Sequence, residues 1–348
     1  MEAIDFKYID EGNANVAVAY TGSNIVYKNK ILRIPKKKVD MRKIYENYTY
    51  IYNTMLPEYR MNLELIGFEK DFIRELMVKI DKERNRNDEL DLACEEGLLM
   101  DNLVSGEGSN VLAVEIKPKW GFVPPEYSAC RFCLHEELKA RKKNIPLGKF
   151  CPLDLYSGDF NRILKSVNDL RATPKNNLKI FYQQENITDK PIYIGGKNIT
   201  NLIASILYQC PVLQNIKHFQ EKFHDNVEEL YQLKMNLEEH LIHERLSNFM
   251  TSVCLKDLSL MISFYVDNTN LSILEEDNHL VESLAKVHLS GGEGAVEGIP
   301  FKVTAIDLDY KNESKIAGLK DLEVELKSVC SKKCSLQRYL YISKERNE

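Results

Sequence analysis

No apolar run in this chain approaches the roughly 20 residues that would span a bilayer. The longest, such as Leu258 to Val266, are short and carry polar residues. Nor does the start carry the basic stretch and apolar core of a secretory signal, because Met1 is followed by Glu2, Asp5 and Asp10. A soluble, intracellular protein with no membrane partner is expected. Internal repeats and low-complexity tracts are absent as well. So is an excess of positive charge: the formal net charge of −5 argues against a nucleic-acid partner. The eight cysteines are too few in 348 residues for the disulfide framework of a small secreted domain. Cys130 and Cys133 form a Cys-x-x-Cys, and Cys330 and Cys334 a looser pair. These pairs lie far apart with different spacings, whereas structural zinc favours four ligands in paired spacing. Ordinary thiols and no zinc are the expectation.

What is present is ordinary globular chemistry, with 44% hydrophobic and 28% charged residues. The length suits one large two-lobed unit or two ordinary domains. Near the start, Val16, Val18 and Tyr20 alternate with small residues, and Ile31, Leu32 and Ile34 form a second β-prone run. Helical patterns follow over 40–56 and 69–80, then strands over 98–103 and 111–116 joined by the glycine-rich stretch 105–109. Further on the pattern predicts a helix over 130–143, an extended piece over 152–157, a helix over 159–170 and a strand over 178–182. Phe219, Phe223, Val227, Leu230, Leu233, Leu237 and Leu241 recur at helical spacing and predict one long amphipathic helix over about 217–248. Residues 259–265 and 302–308 are β-rich, and the charged stretch 320–348 is helical at its start. The sum is an α+β protein with a small β-rich N-lobe over 1–100 and a larger mixed C-lobe over 101–348, a ligand cleft lying between them.

The charge is unevenly spread. Lys28, Lys30, Arg33, Lys36, Lys37 and Lys38 form one basic stretch, and Lys139, Arg141, Lys142 and Lys143 another. Each alone is a solvated face; both together would make an anion site if they met in one cleft. The loop Glu11-Gly12-Asn13-Ala14-Asn15 has the composition of a hairpin turn, and backbone N–H groups in such a loop can also cradle phosphates. Arg33 follows on the next strand. The string Val114-Glu115-Ile116-Lys117-Pro118-Lys119-Trp120-Gly121-Phe122 carries two lysines two residues apart at a strand end, where both can face one ligand. It contains the single tryptophan.

That string closely resembles the Glu-Ile-Lys-Pro-Lys signature of the inositol-pentakisphosphate 2-kinase family. Other segments are similar to family motifs and follow in the family's order. They are the loop from Glu11 to Asn15, Cys130-Arg131-Phe132-Cys133-Leu134-His135 with Lys139 at the end of its helix, Pro152-Leu153-Asp154-Leu155-Tyr156-Ser157-Gly158, Thr173-Pro174-Lys175-Asn176-Asn177, Lys256-Asp257-Leu258-Ser259, and Ile306-Asp307-Leu308-Asp309-Tyr310-Lys311. The resemblance runs from about residue 8 to 315. It implies a divergent protein-kinase-like fold and an ATP- and Mg²⁺-dependent phosphorylation of inositol pentakisphosphate at its 2-hydroxyl, giving the hexakisphosphate.

The resemblance also implies roles. Asp257 matches the catalytic aspartate and Asp307 the magnesium ligand, with Asp309 reaching the same or a second metal. Lys117 and Lys119 match contacts to nucleotide phosphates and inositol phosphate, Lys117 also acting in catalysis. Lys139, Asn176 and Lys311 match substrate-phosphate contacts, as does Lys315, which replaces an arginine of plant members. Gly12, Asn13, Ala14, Asn15 and Arg33 match the nucleotide loop and its phosphate contact, and Asp101, Asn102 and Glu115 the hinge beside the adenine. Arg131 is read equally as a substrate contact or a buried ion-pair partner, and Arg84 or Arg86 as an arginine reaching the substrate from the N-lobe. Leu319 stands where the family has a phosphate-binding tyrosine. Cys210, His218, His224, His240 and His243 do not reproduce the plant zinc spacing, and these histidines are expected at the surface. A monomer placed in nucleus or cytoplasm completes the expectation. A kinase for another inositol phosphate and a non-catalytic inositol-phosphate binder are the competing readings.

Overall fold

Two antiparallel sheets organise the chain in this computed structural model, which describes residues 2–12, 14–36, 39–69, 71–84, 90–105, 110–236, 239–267, 269–274 and 284–331. The first sheet has five strands. Phe6–Glu11, Asn15–Tyr20 and Lys30–Pro35 run side by side, followed by Glu96–Asp101, with Leu63–Gly67 at the far edge. Val16, Val18, Leu32 and Ile34 point to one face and are fully buried against the helix Phe72–Ile80 through Phe72, Ile73, Leu76 and Ile80. This alternation on the strands and i, i+3/i+4 spacing on the helix is what brings sheet and helix together.

The second sheet has seven strands, in the order Val287–Ser290, Glu293–Val296, Ile299–Ile306, Ser259–Val266, Asn110–Ile116, Leu178–Tyr182 and Glu185–Asn186. Its central strand, Ser259–Val266, is covered on both faces and reads as an almost unbroken apolar run, as a central strand should. Helices Phe160–Ala172 and Ile199–Gln209 bury their apolar faces in the same core. A small third sheet, made of Lys197–Asn198, Ile192–Ile194 and Leu271–Ile273, lies beside it. The architecture is α+β.

Helix Met41–Thr54 joins the two sheets. Asp40 caps it by accepting from the Lys43 N–H at 3.1 Å, and Ile44, Tyr48 and Ile51 form its buried face. Its Tyr48 hydroxyl accepts from Arg33 on the first sheet at 3.2 Å, and its Tyr52 hydroxyl donates to the Ala305 carbonyl on the second at 2.6 Å.

Two expectations fail locally. Residues 152–155 form a short helical turn instead of an extended piece, with Pro152 in the first turn, where its missing N–H costs nothing. The long helix expected over 217–248 is three helices, Val212–Lys222, Val227–Met235 and Glu239–Asp257. The break after Lys222 is enforced by Asn226, whose side chain accepts from the N–H groups of Glu228 and Glu229 and starts a new helix. Asn13, Arg86, the glycines of 106–109 and the stretch beyond Ser331 lie outside the described residues.

At the end of the first strand, the Glu11 carboxylate is buried between Lys36 and Arg84, each 2.8 Å away. Taking the carboxylate away removes a partner that two buried cations share. Glu11→Ala should lower unfolding stability by about 3–5 kcal/mol, the usual loss on breaking a buried ion pair. Urea melts would show this, and a loss under about 1 kcal/mol would mean that the cations reach water.

Candidate active site

The register of three neighbouring strands gathers the site. Leu260 pairs with Ile116, and Ser259 with Ile306. The chain therefore leaves the strand Asn110–Ile116, enters Ser259–Val266 and leaves Ile299–Ile306 at one edge of the sheet. Lys117, Asp257 and Asp307 sit on those three crossings. The Lys117 ammonium donates to Asp307 Oδ2 and to Ser259 Oγ, both at 2.7 Å, and lies 3.4 Å from Glu115. Ser259 in turn donates to Glu115 or Asp307, at 2.9 and 2.8 Å. Lys119 and Asp307 both hold left-handed backbone, with φ of 62° and 61°. For residues other than glycine this is strained geometry that the surroundings must enforce.

A cleft of about 840 Å³ opens over this edge. Lys117, Lys119, Lys139, Lys311, Asn176, Asp257, Asp307 and Asp309 all line it. Asp257, the last residue of helix Glu239–Asp257, lies 3.2 Å from Lys311 and 3.9 Å from Lys119. Burial on its own raises the Asp257 carboxyl, but Lys311 and Lys119 outweigh it and hold the acid below its ordinary value. Asp307 behaves alike: burial raises it, and Lys117 and Arg33 bring it down. Lys119 is lowered by burial and by its lysine neighbours, which Asp257 only partly offsets. Lys117 and Lys311 are raised, since burial is outweighed by their carboxylates.

Lys139 stands on the helix Arg131–Lys143, and Glu136 on the same helix holds it at 3.2 Å and Lys175 at 2.7 Å. Lys175 and Ser259 were not singled out from the sequence. Their signal was adjacency alone, beside Asn176 and two residues after Asp257.

On the side of the first sheet, Gly12 N–H donates to the Asn15 carbonyl at 2.9 Å and the Ala14 carbonyl accepts from Lys36 N–H at 2.8 Å, which closes the loop. The Asn15 side-chain oxygen faces Arg33 Nη2 at 2.6 Å in the orientation that satisfies both partners. Arg33 is partly buried and donates to Asp309 Oδ2 at 2.7 Å. It thus ties the five-stranded sheet to the segment after Asp307. The chain crosses from one sheet to the other beyond Asp101 and Asn102. Asp101 pairs with Lys30 at 2.6 Å and receives the Asn62 N–H at 3.0 Å, and Asn102 accepts from the Val104 N–H at 3.2 Å. Both side chains are thus used in shaping the crossing and are not among the cleft-lining residues.

For magnesium, the donor chemistry fits. Asp309 Oδ1 is buried and has no hydrogen-bond partner among the described residues, and the Asp307 carboxylate stands two residues before it. Two carboxylates of hard oxygen, one with an unused atom, suit this cation.

Several expected residues are placed elsewhere. Lys315 is exposed on the turn Glu313–Lys315 and does not line the cleft, whereas Leu319 does. Arg84 is held by Glu11 away from it. Arg131, although at the cleft wall, is buried as an ion-pair partner of Glu323, with Nε 2.7 Å from Oε1, and its guanidinium covers Trp120 at 4.3 Å. Lys256 covers the ring as well, at 4.0 Å. His224 is no surface residue: it packs against Trp120 and Phe122 and meets Glu126 at 3.2 Å. The thiols also differ from expectation. Cys130, Cys133 and Cys151 bring three sulfurs within 4.8 Å of one another, a donor set of the kind that holds zinc. The spacing argument weighed Cys130 and Cys133 only against Cys330 and Cys334 and left Cys151 out, because Cys151 approaches only through tertiary folding.

Comparison with known proteins agrees with the family resemblance. A family model described as inositol-pentakisphosphate 2-kinase matches residues 8–325. An inositol-pentakisphosphate 2-kinase of Danio rerio is 29% identical over 217 residues, 52% of this chain and 44% of the relative. One of Cryptococcus neoformans is 27% identical over 263 residues, 61% of this chain and 62% of the relative. One of Arabidopsis thaliana is 25% identical over 236 residues, 52% of each chain. The matched stretch thus spans between about two fifths and three fifths of these curated relatives. The chain belongs to the inositol-pentakisphosphate 2-kinase family.

Proposed function

We propose that this protein transfers the γ-phosphoryl group of ATP to the 2-hydroxyl of inositol 1,3,4,5,6-pentakisphosphate and so forms the hexakisphosphate. The observation that carries the reading is Asp257 set among Lys119 and Lys311 in a lysine-lined cleft, beside a carboxylate pair, Asp307 and Asp309. A highly charged polyanion needs several cations converging on it, and phosphoryl transfer needs a base and a metal site. This cleft offers all three. The wider reading is a divergent kinase-like molecule of two lobes, acting as a monomer in nucleus or cytoplasm. It draws on family membership and on the Arg33–Asp309 pair, which links the first sheet to a cleft whose lining residues all lie within 117–327.

In this mechanism Lys119, Lys139, Lys311 and Asn176 grip the inositol phosphate and present its free hydroxyl to Asp257. The hydroxyl oxygen forms the new bond to phosphorus, the bond to the bridging oxygen of the leaving ADP breaks, and the proton passes to Asp257. Lys117 and Arg33 offset negative charge on the transferred group. Asp307 and Asp309 would hold Mg²⁺, which supplies charge neutralisation across the nucleotide phosphates. The loop from Gly12 to Asn15 covers the nucleotide, and the Asp101–Asn102 crossing borders its base, with Glu115 nearby.

Purified protein with ATP, Mg²⁺ and inositol pentakisphosphate should yield hexakisphosphate by anion-exchange chromatography; no product overturns the reading. Asp257→Asn should lower kcat by about 10²–10⁴-fold, the range for a lost general base, and leave inositol-phosphate binding nearly intact by calorimetry. Lys139→Ala should raise the KM for inositol phosphate by roughly tenfold, about 1.4 kcal/mol of binding, with that for ATP unchanged. An effect on ATP alone would remove Lys139 from the substrate side. Because Lys311 helps keep Asp257 ionised in the free cleft, Lys311→Met should move the acid limb of the kcat/KM–pH profile to higher pH. Activity is lost as pH falls through the Asp257 value, so an unmoved limb would detach Asp257 from the base role.

A further inference from the structure

Behind the cleft wall, and not lining it, lies a fully buried glutamine that touches both segments carrying the proposed chemistry. Gln220 sits on helix Val212–Lys222. Its Oε1 accepts from the Gly121 N–H at 2.8 Å, and its Nε2 donates to the Lys119 carbonyl at 2.8 Å and to the Leu255 carbonyl at 2.9 Å. A backbone N–H on one side and two carbonyls on the other leave the amide a single orientation that satisfies all three. Both amide hydrogens are then in use.

The three partners have one thing in common. Lys119 and Gly121 bracket Trp120 in the segment that presents Lys119, and Leu255 lies two residues before Asp257 in the last turn of its helix. Carbonyls in a last helical turn lack a partner within the helix, and Gln220 supplies one. The left-handed Lys119 backbone likewise needs an external hold, which Gln220 supplies with the Tyr156 hydroxyl, 3.4 Å from the same carbonyl. The glutamine is itself anchored, since Ser252 Oγ donates to its backbone carbonyl at 3.0 Å. One amide thus bridges the segment of Lys119 and the segment of Asp257, whose charged atoms stand 3.9 Å apart in the cleft.

We propose that Gln220 is a positioning residue: its side-chain amide sets the distance and orientation between Lys119 and Asp257. The inference rests on the roles given to those two residues above. A displacement of about 1 Å at reacting groups costs up to roughly 100-fold in rate, so the bridge acts on turnover without touching substrate.

The test uses the full chain and its single tryptophan, which the clamp encloses. Gln220→Met keeps the length and removes all three hydrogen bonds. Gln220→Glu keeps the size and the acceptor for Gly121 but, while ionised, has no donor. Both variants should lose roughly 10–100-fold in kcat with the KM for ATP unchanged. Their Trp120 fluorescence should be more readily quenched by acrylamide at unchanged far-ultraviolet circular dichroism. In a Lys119→Met background the Gln220→Met loss should shrink severalfold, because the two act through one contact. Full multiplicative loss in the double variant, or wild-type quenching and turnover in either single variant that folds, overturns the proposal. Absence of hexakisphosphate with the unaltered protein would instead overturn the parent reading, and the quenching comparison still decides whether Gln220 holds the segment.

Discussion

Cations crowded into a partly buried cleft repel one another unless carboxylates stand between them, and much of this structure serves that requirement. Asp307 separates Lys117 from Arg33, and Asp257 lies between Lys119 and Lys311. Glu136 does the same for Lys139 and Lys175. The result is an anion site inside an acidic protein, with each lysine held in place before any ligand arrives. Lys119 remains less compensated than Lys117 and Lys311, its charged form disfavoured by burial and by the lysines around it. A bound phosphate would relieve that repulsion.

Holding such a cluster requires rigid supports from distant parts of the chain. The strand register brings three crossings to one edge, and helix Met41–Thr54 binds the two sheets through Tyr48 and Tyr52. Arg33 adds a link from the first sheet to Asp309. Left-handed backbone at Lys119 and Asp307 is the local cost of aiming their side chains, and buried polar contacts offset it.

Elements with a strong local pattern were legible in the sequence. Alternation at Val16 and Val18, the helical pattern from Asp40 and the apolar run after Asp257 each correspond to a strand or helix where expected. The broken helix was not, because apolar spacing continues in phase across Asn226 and only the capping hydrogen bonds reveal the restart. Lys117 and Asp307 were each picked out by family motifs and not by periodicity, whereas their contact across 190 residues emerges only from the fold. What stayed hidden depended on contacts between remote segments. Arg131 is held by Glu323, 192 residues later. Cys151 joins two thiols through tertiary folding, and Gln220 looks like any polar residue of an amphipathic helix.

The pairing of Asp257 with Lys119 and Lys311 has a consequence for the economy of the reaction. While the cleft holds no inositol phosphate, the aspartate is engaged by two ammonium groups and is a feeble proton acceptor. On the proposed reading, the inositol phosphate competes for those same groups and leaves the carboxylate more basic at the moment its hydroxyl arrives. Water brings no such charge. A nucleotide waiting alone in the cleft is then protected from wasteful hydrolysis, because only the proper acceptor unmasks the base that would activate it.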